Sequence, residues 1–150
     1  MAGKAAVHGH PIHPMLVAFP IGLWTFSLAC DVVYLAYGRG AYWSAAARYS
    51  LAAGIVGALL AAVPGLIDLL SLADARVKKI AIYHMSINLV AVVVFGADLW
   101  LRMMRGPEAD PPVLVSVVGI ALILVSGWLG GELVYVHGVA VDRPGGPTGG

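Results

Sequence analysis

Charged residues and cysteine are scarce in this chain of 150 residues. Only 11% of the residues are charged and 60% are hydrophobic, whereas a soluble domain carries about 25% charged residues. The one cysteine, Cys30, excludes an intrachain disulfide and a cysteine-based metal framework. The formal net charge is only +1, and no basic patch indicates binding to nucleic acid. The composition therefore predicts an integral membrane protein.

The signatures of several enzyme classes are also missing. No glycine-rich phosphate loop precedes a predicted helix, and no nucleophile is adjacent to an obvious general base. These absences argue against a nucleotide-binding or hydrolase site, and they leave open whether the protein is an enzyme.

Four apolar runs are long enough to cross a membrane. Each exceeds the roughly 20 residues that a spanning helix needs. The runs are Pro14–Tyr37, Tyr42–Leu72, Val77–Met104 and Pro111–His137. The connections between them are short, so successive helices are expected to be antiparallel neighbours. The sequence predicts an all-α protein, an integral membrane up-down four-helix bundle with both termini on the same side.

Three parts of the chain are predicted from these runs. An extended N-terminal segment covers residues 1–13, the four-helix domain covers 14–138, and a disordered tail rich in proline and glycine covers 139–150. Lysines and arginines number five on the terminal side and four on the other side. This small excess favours termini in the cytoplasm.

All five histidines are predicted to lie near one face of the membrane. His8, His10 and His13 precede or begin the first run, and His137 closes the fourth. His84 lies seven residues after Val77, which places it about 10 Å inside the third helix. Imidazole is the usual protein ligand for haem iron and for zinc or copper, and polar groups inside a bilayer are usually functional. A metal or redox centre at that face is the resulting hypothesis.

Polar residues are predicted to form two layers across the bundle. The layer at the histidine face takes one group from each helix: His13, Asp68, His84 and Glu132. The layer near the opposite face contains Asp31, Arg48, Asp98 and Arg102. Asp98 and Arg102 are four residues apart on one helix and can pair directly. The second layer is interpreted as a structural charge network.

The histidine layer allows two kinds of centre. In the first, His13 and His84 are axial ligands of haem b, and Trp24 and Phe95 line the slot. Asn88, Asp68 or Glu132 then holds the imidazole N–H groups or binds the propionates through water. In the second, a zinc, iron or manganese ion is bound by nitrogen and carboxylate ligands. The candidate ligands of that ion are His13, His84, His10, Asp68, Glu132 and His137.

Two local features bear on this choice and stay open. On a continuous α-helix Glu132 and His137 point about 140° apart, so they share a site only if the helix ends near Tyr135. Glycines on the second and fourth helices, including Gly127 and Gly131, either let helices pack closely or make room for a flat macrocycle.

Motifs from every helix resemble one bacterial family of predicted membrane proteins, known as domain of unknown function 2231. The motifs are His-Pro-Ile-His-Pro-Met from His10, Phe-Pro-Ile-Gly-Leu-Trp from Phe19, Pro-Gly-Leu-Ile-Asp from Pro64, His-x-x-x-Asn from His84, and Gly-Trp-Leu-Gly-Gly-Glu-Leu-Val-Tyr from Gly127. The resemblance implies a four-helix protein of the bacterial inner membrane. Relatives joined to Rieske-type or cytochrome c-like domains imply a redox setting. Relatives with histidine at the places of Ala18 and Glu132 imply that position 132 is a ligand or handles protons.

Three functions follow as hypotheses. The first is a b-type cytochrome-like electron-transfer protein or subunit, which receives electrons from a redox partner protein or a quinone. The second is a non-haem metal-binding membrane protein. The third is a structural subunit of a larger membrane complex or homo-oligomer, in which the histidines only form hydrogen bonds.

Overall fold

The computed structural model describes residues 5–7 and 10–139 and contains four long helices. They are α1 (Ile12–Ala36), α2 (Ala41–Ser71), α3 (Ala75–Arg105) and α4 (Val113–Gly131), and α4 continues into a π-helical turn, Glu132–Val136. All four spans are long and apolar enough to cross a membrane. The prediction of a four-helix, all-α membrane bundle is confirmed.

The N-terminal segment differs in detail from the prediction. Two short strands, β1 (Ala6–Val7) and β2 (His10–Pro11), pair antiparallel before α1 begins at Ile12. His13 therefore lies in the first helical turn, although the segment 1–13 is predicted to be extended. The N–H groups of a first turn have no partner within the helix, so Pro14 fits there without loss of a hydrogen bond. His8 and residues 140–150 of the predicted tail lie outside the described residues.

Short connections between the helices use side-chain caps and glycine turns. The carboxylate of Asp74 accepts hydrogen bonds from the backbone N–H groups of Arg76 (2.8 Å) and Val77 (3.0 Å) and so caps the N-terminus of α3. These two hydrogen bonds hold the pKa of Asp74 below its usual value. Gly106, with a φ of 85°, ends α3 in a conformation that favours glycine.

The bundle consists of two equivalent helical hairpins. The hairpin of α1 and α2 and the hairpin of α3 and α4 are the two most closely packed helix pairs. Residues of α1 meet residues of α3 that lie 71 positions later in the chain. The three pairs that meet in this way are His13 with His84, Trp24 with Phe95, and Asp31 with Arg102.

The constant spacing shows that α1 and α3 run parallel, and the matching ring-to-glycine contacts within the two hairpins indicate an internal repeat with an approximate two-fold axis along the membrane normal. Both hairpins begin on the same side of the membrane, which is the arrangement of a parallel repeat. In the second helices the interval is shorter, since Gly54 and Gly65 of α2 are each followed 65 positions later by Gly119 and Gly130 of α4. Three layers therefore lie along the axis: imidazole pair, aromatic pair and ion pair.

Candidate functional site

His13 is fixed by the backbone of α2. Its Nδ1 lies 2.7 Å from the carbonyl oxygen of Ala61. The ring rests on Gly65, where an added Cβ would lie 2.8 Å from Nδ1. The acceptor Ala61 lies one helical turn before Gly65, within α2. Gly65, the glycine of the Pro-Gly pair at positions 64 and 65, is thus the residue against which the imidazole packs.

His84 has the same relation to α4. Its Nδ1 lies 2.8 Å from the carbonyl oxygen of Ser126, and the Ser126 hydroxyl lies 3.0 Å from the same nitrogen. A Cβ added at Gly130 would lie 3.1 Å from Cε1 of the ring. In each hairpin the first helix thus supplies an imidazole, and the second supplies a carbonyl followed four residues later by a glycine.

The two imidazoles face each other across the axis. Their ring centroids are 6.0 Å apart and the ring planes are almost perpendicular, at 89°. A carbonyl oxygen can only accept, so Nδ1 donates in both rings and Nε2 carries the lone pair. This is the tautomer that ligates a metal through Nε2. Both rings are therefore oriented by contacts that their own hairpins supply.

Asn88 is the nearest polar neighbour of this pair. Its Nδ2 lies 3.2 Å from Nε2 of His84 and donates to the backbone carbonyl of His84 at 3.0 Å. In the part of the chain that the structure describes, Nε2 of His13 has no such neighbour. The predicted contact between Asn88 and an imidazole is present, but at Nε2, the atom that would face a metal.

The other candidate ligands lie apart from the two imidazoles. Asp68 is buried near the N-terminal segment and accepts a hydrogen bond from the backbone N–H of Ala5 at 3.1 Å. His10 is exposed in the strand β2. Within residues 5–7 and 10–139, no three histidine, cysteine, aspartate or glutamate side chains are grouped to hold a metal ion.

Glu132 and His137 come closer together than an α-helix would allow. The π-helical turn makes a hydrogen bond from the N–H of His137 to the carbonyl of Glu132 at 3.2 Å. This wider turn returns position 137 to the face of position 132, and Nε2 of His137 lies 3.9 Å from Oε1 of Glu132. Such turns are rare and often occur at functional sites. Both side chains are partly exposed at this end of α4.

Trp24 is placed away from the histidines. It follows His13 by eleven residues, about 16 Å along the helix. Its indole stacks on Phe95 with centroids 4.1 Å apart, and its Nε1 donates to the carbonyl of Leu51 at 3.3 Å. Trp24 thus belongs to the aromatic layer of the core and does not line the imidazole pair.

The glycines of α2 and α4 pack against aromatic and imidazole rings of the protein itself. A Cβ added at Gly54 would lie 2.5 Å from the Trp24 indole, and one added at Gly119 would lie 2.5 Å from Phe95. Gly65 and Gly130 contact His13 and His84 in the same way. Four glycines therefore each contact one ring of the imidazole pair or the aromatic pair. Gly127, predicted to pack helices, has nothing within 4 Å of an added Cβ.

The second polar layer forms a buried cluster around Arg102. Its Nη1 and Nη2 donate to the two carboxylate oxygens of Asp31 at 2.7 and 2.6 Å, and its Nε donates to Asp98 at 2.6 Å. Ser116 of α4 accepts from Arg102 and donates to Asp98. The predicted pairing of Asp98 with Arg102 is present. Ser116 is the member that the sequence reasoning missed, and Arg48 has no bond to the cluster within the described residues.

The fold and the site define a polytopic four-helix membrane protein with two hairpin repeats and paired imidazoles. The chain belongs to the family described as predicted membrane protein DUF2231, whose model matches residues 9–143. No curated protein and no solved structure matches the chain. The predicted family is confirmed.

Proposed function

We propose that the protein is a membrane electron-transfer protein or subunit that binds haem b through His13 and His84. The observation that supports this proposal is the facing pair of imidazoles with centroids 6.0 Å apart. Two imidazoles that ligate one iron from opposite sides, each with a bond of about 2 Å, have centroids roughly 6 Å apart. The separation within the protein therefore fits an axial pair.

The number of donors also favours haem over a free ion. Haem iron takes four ligands from the porphyrin and needs only one or two from the protein. A non-haem site needs three or four protein ligands. The described residues group two imidazoles and no third histidine, cysteine or carboxylate with them.

The chain's own residues would orient the ligands. The carbonyls of Ala61 and Ser126 hold Nδ1–H of each ring and so fix the orientation of the imidazole. Binding at His84 requires the amide of Asn88 to leave Nε2, while its bond to the backbone carbonyl of His84 can persist. When bound, haem supplies one-electron redox chemistry.

Two other functions are favoured by particular contacts. A non-haem zinc, iron or manganese site would recruit Asp68, whose carboxylate is buried at the N-terminal end and is held by a single backbone N–H. A purely structural role is favoured by the interhelical hydrogen bond that each histidine already makes. In that case the protein is a subunit that assembles with other membrane proteins or with itself.

The cellular setting forms part of the proposal. The protein lies in the bacterial inner membrane with cytoplasmic termini, and a separate redox protein or a quinone exchanges electrons with it. Four apolar spans support the bilayer location.

Optical spectroscopy and elemental analysis test the proposal. The protein is expressed with added haem precursor, purified in detergent, and compared with His13→Ala, His84→Ala and the control His10→Ala. We expect a Soret band with one haem per chain in the wild type and the control, and its loss or a strong reduction in the first two variants. A stoichiometric non-haem metal without a Soret band would favour the second function. Absence of both, with unchanged complex assembly in all variants, would favour the third.

A further inference from the structure

A cleft lies at the end of the bundle opposite the imidazole pair. It is a shallow cleft that opens to the surface between α1, α2 and the connection from α3 to α4, and its enclosed part has room for about one water molecule. Its floor is formed by Asp31 and Arg102 of the buried cluster. Arg48 of α2 and Arg105 of α3 line its sides. The cleft therefore brings three guanidinium groups together beside an opening.

Two of these arginines are not neutralised by the protein. Within residues 5–7 and 10–139, neither the half-buried Arg48 nor the exposed Arg105 makes a hydrogen bond or an ion pair. The carboxylates that line the cleft are already engaged, since Asp31 binds Arg102 and Asp110 binds Arg39 at 3.1 Å. An arginine within a spanning helix is costly unless it finds a counter-charge. Among the described residues that counter-charge is missing, and an anion from outside the chain would supply it.

The depth of the cleft matches the level of lipid phosphates. α2 and α3 each have 31 residues and are therefore about 46 Å long, against roughly 30 Å for the hydrocarbon core. About 8 Å of each helix extends beyond the core at either end. Arg48 lies seven residues from the start of α2, about 10 Å along the helix, and Arg105 ends α3. Both guanidinium groups thus lie at the boundary of hydrocarbon and headgroups.

We propose that this cleft binds the phosphate group of an anionic phospholipid through Arg48 and Arg105. A guanidinium group matches phosphate oxygens with two parallel N–H bonds. Lipids with a net negative charge are selected, because the ammonium of a zwitterionic headgroup would meet the guanidinium groups that line the cleft. The headgroup also closes the entrance to the buried Asp31–Arg102 pair.

The test measures lipid affinity of the full-length protein in detergent. Native mass spectrometry compares phosphatidylglycerol with phosphatidylcholine for the wild type, Arg48→Gln, Arg105→Gln and the control Arg39→Gln. Inorganic phosphate is added as a competitor in a separate series. Arg39 is a suitable control because it is already paired with Asp110, which lines the cleft.

We expect phosphatidylglycerol to bind more tightly than phosphatidylcholine. Loss of Arg48 or Arg105 is expected to weaken phosphatidylglycerol binding about fivefold each, as removal of one basic residue near a charged membrane surface does, while Arg39→Gln changes it little. Equal affinity of the wild type and both glutamine variants would overturn the proposal, as would equal binding of the two lipids. Displacement of the lipid by low concentrations of inorganic phosphate would overturn the assignment to a lipid. Since Arg105 is exposed, Arg105→Gln keeps the test valid if Arg48→Gln does not fold.

Discussion

His13 and His84 share one carbonyl contact and one glycine contact in two different hairpins, and His84 alone also contacts Asn88 and the Ser126 hydroxyl. Each donates from Nδ1 to a carbonyl of the neighbouring helix, and each rests on a glycine one turn beyond that carbonyl. The approximate two-fold axis therefore runs between two equivalent imidazoles. A ligand centred on that axis would receive two equal nitrogen donors, which is the basis of the proposed function.

The packing of His13 against Gly65 can be tested by the addition of a single methyl group. Gly65→Ala adds a Cβ to α2. This Cβ lies 2.8 Å from Nδ1 of His13, which is too close for normal packing. We expect the ring to move and the protein to lose about 1–3 kcal/mol of stability, as overpacked cores do. Haem content and thermal unfolding are the measurements. Gly127→Ala is the matched control because its Cβ meets nothing within 4 Å. Equal changes of haem content and thermal stability in the two variants would contradict the packing of His13 against Gly65.

The aromatic layer gives a prediction that is independent of any cofactor. Gly119→Ala brings a Cβ to 2.5 Å from Phe95 and so disturbs its stacking on Trp24. We expect a lower thermal midpoint, with a change in Trp24 fluorescence relative to the control Gly96→Ala, whose Cβ meets nothing within 4 Å. Because three other tryptophans are present, the fluorescence difference is checked in a Trp24→Phe background, where it should vanish.

The buried cluster is expected to depend strongly on its one cation. Arg102→Met leaves two buried carboxylates, Asp31 and Asp98, without their partner. Removing one member of a buried ion pair costs about 3–5 kcal/mol. Arg39→Met breaks an exposed pair, in which 59% and 57% of the two side chains are accessible, and should cost at most about 1 kcal/mol. Unfolding in mixed micelles measures both losses. Similar values for the two variants would contradict the assigned role of the cluster.

Asp74 provides a test of the helix cap and its pH dependence. Asp74→Ala removes both hydrogen bonds to the start of α3 and should lower thermal stability, while Asp74→Asn retains an acceptor and should lower it less. The folded-state pKa of Asp74 is lowered, so the carboxylate stabilises the protein above its unfolded pKa of 3.8. That contribution is lost as the pH falls through the lowered pKa. The difference in stability between wild type and Asp74→Ala should therefore shrink in acid. A difference that is constant with pH would contradict the capping role.

The helices and the histidine face were predictable because hydropathy and length decide membrane spans. His13 and His84 were identified because both are polar residues on inward stripes. The repeat was harder to detect, since its partners have diverged: Trp24 corresponds to Phe95, and Asp31 corresponds to Arg102. The spacing also changes along the chain, from 71 positions between α1 and α3 to 65 between α2 and α4, so one fixed offset does not align the two hairpins.

Other features of the site could not be predicted, because no particular residue type marks them in the sequence. The acceptors of both imidazoles are backbone carbonyls, which every residue carries, so Ala61 and Ser126 could not be selected from the sequence. The π-helical turn that joins Glu132 to His137 uses residues that an α-helix also accepts. The position of Trp24 was misjudged because a shared helical stripe fixes direction but not depth, and eleven residues separate the indole from the imidazole.

Electron paramagnetic resonance of the oxidised, haem-loaded protein tests the central claim most directly. Two axial imidazoles make ferric haem low-spin, and ring planes at 89° predict a strongly anisotropic low-spin signal. Since the two ligands are equivalent, His13→Ala and His84→Ala should each abolish that signal to the same extent. A high-spin wild type, or a low-spin signal that survives either substitution, would contradict the shared site.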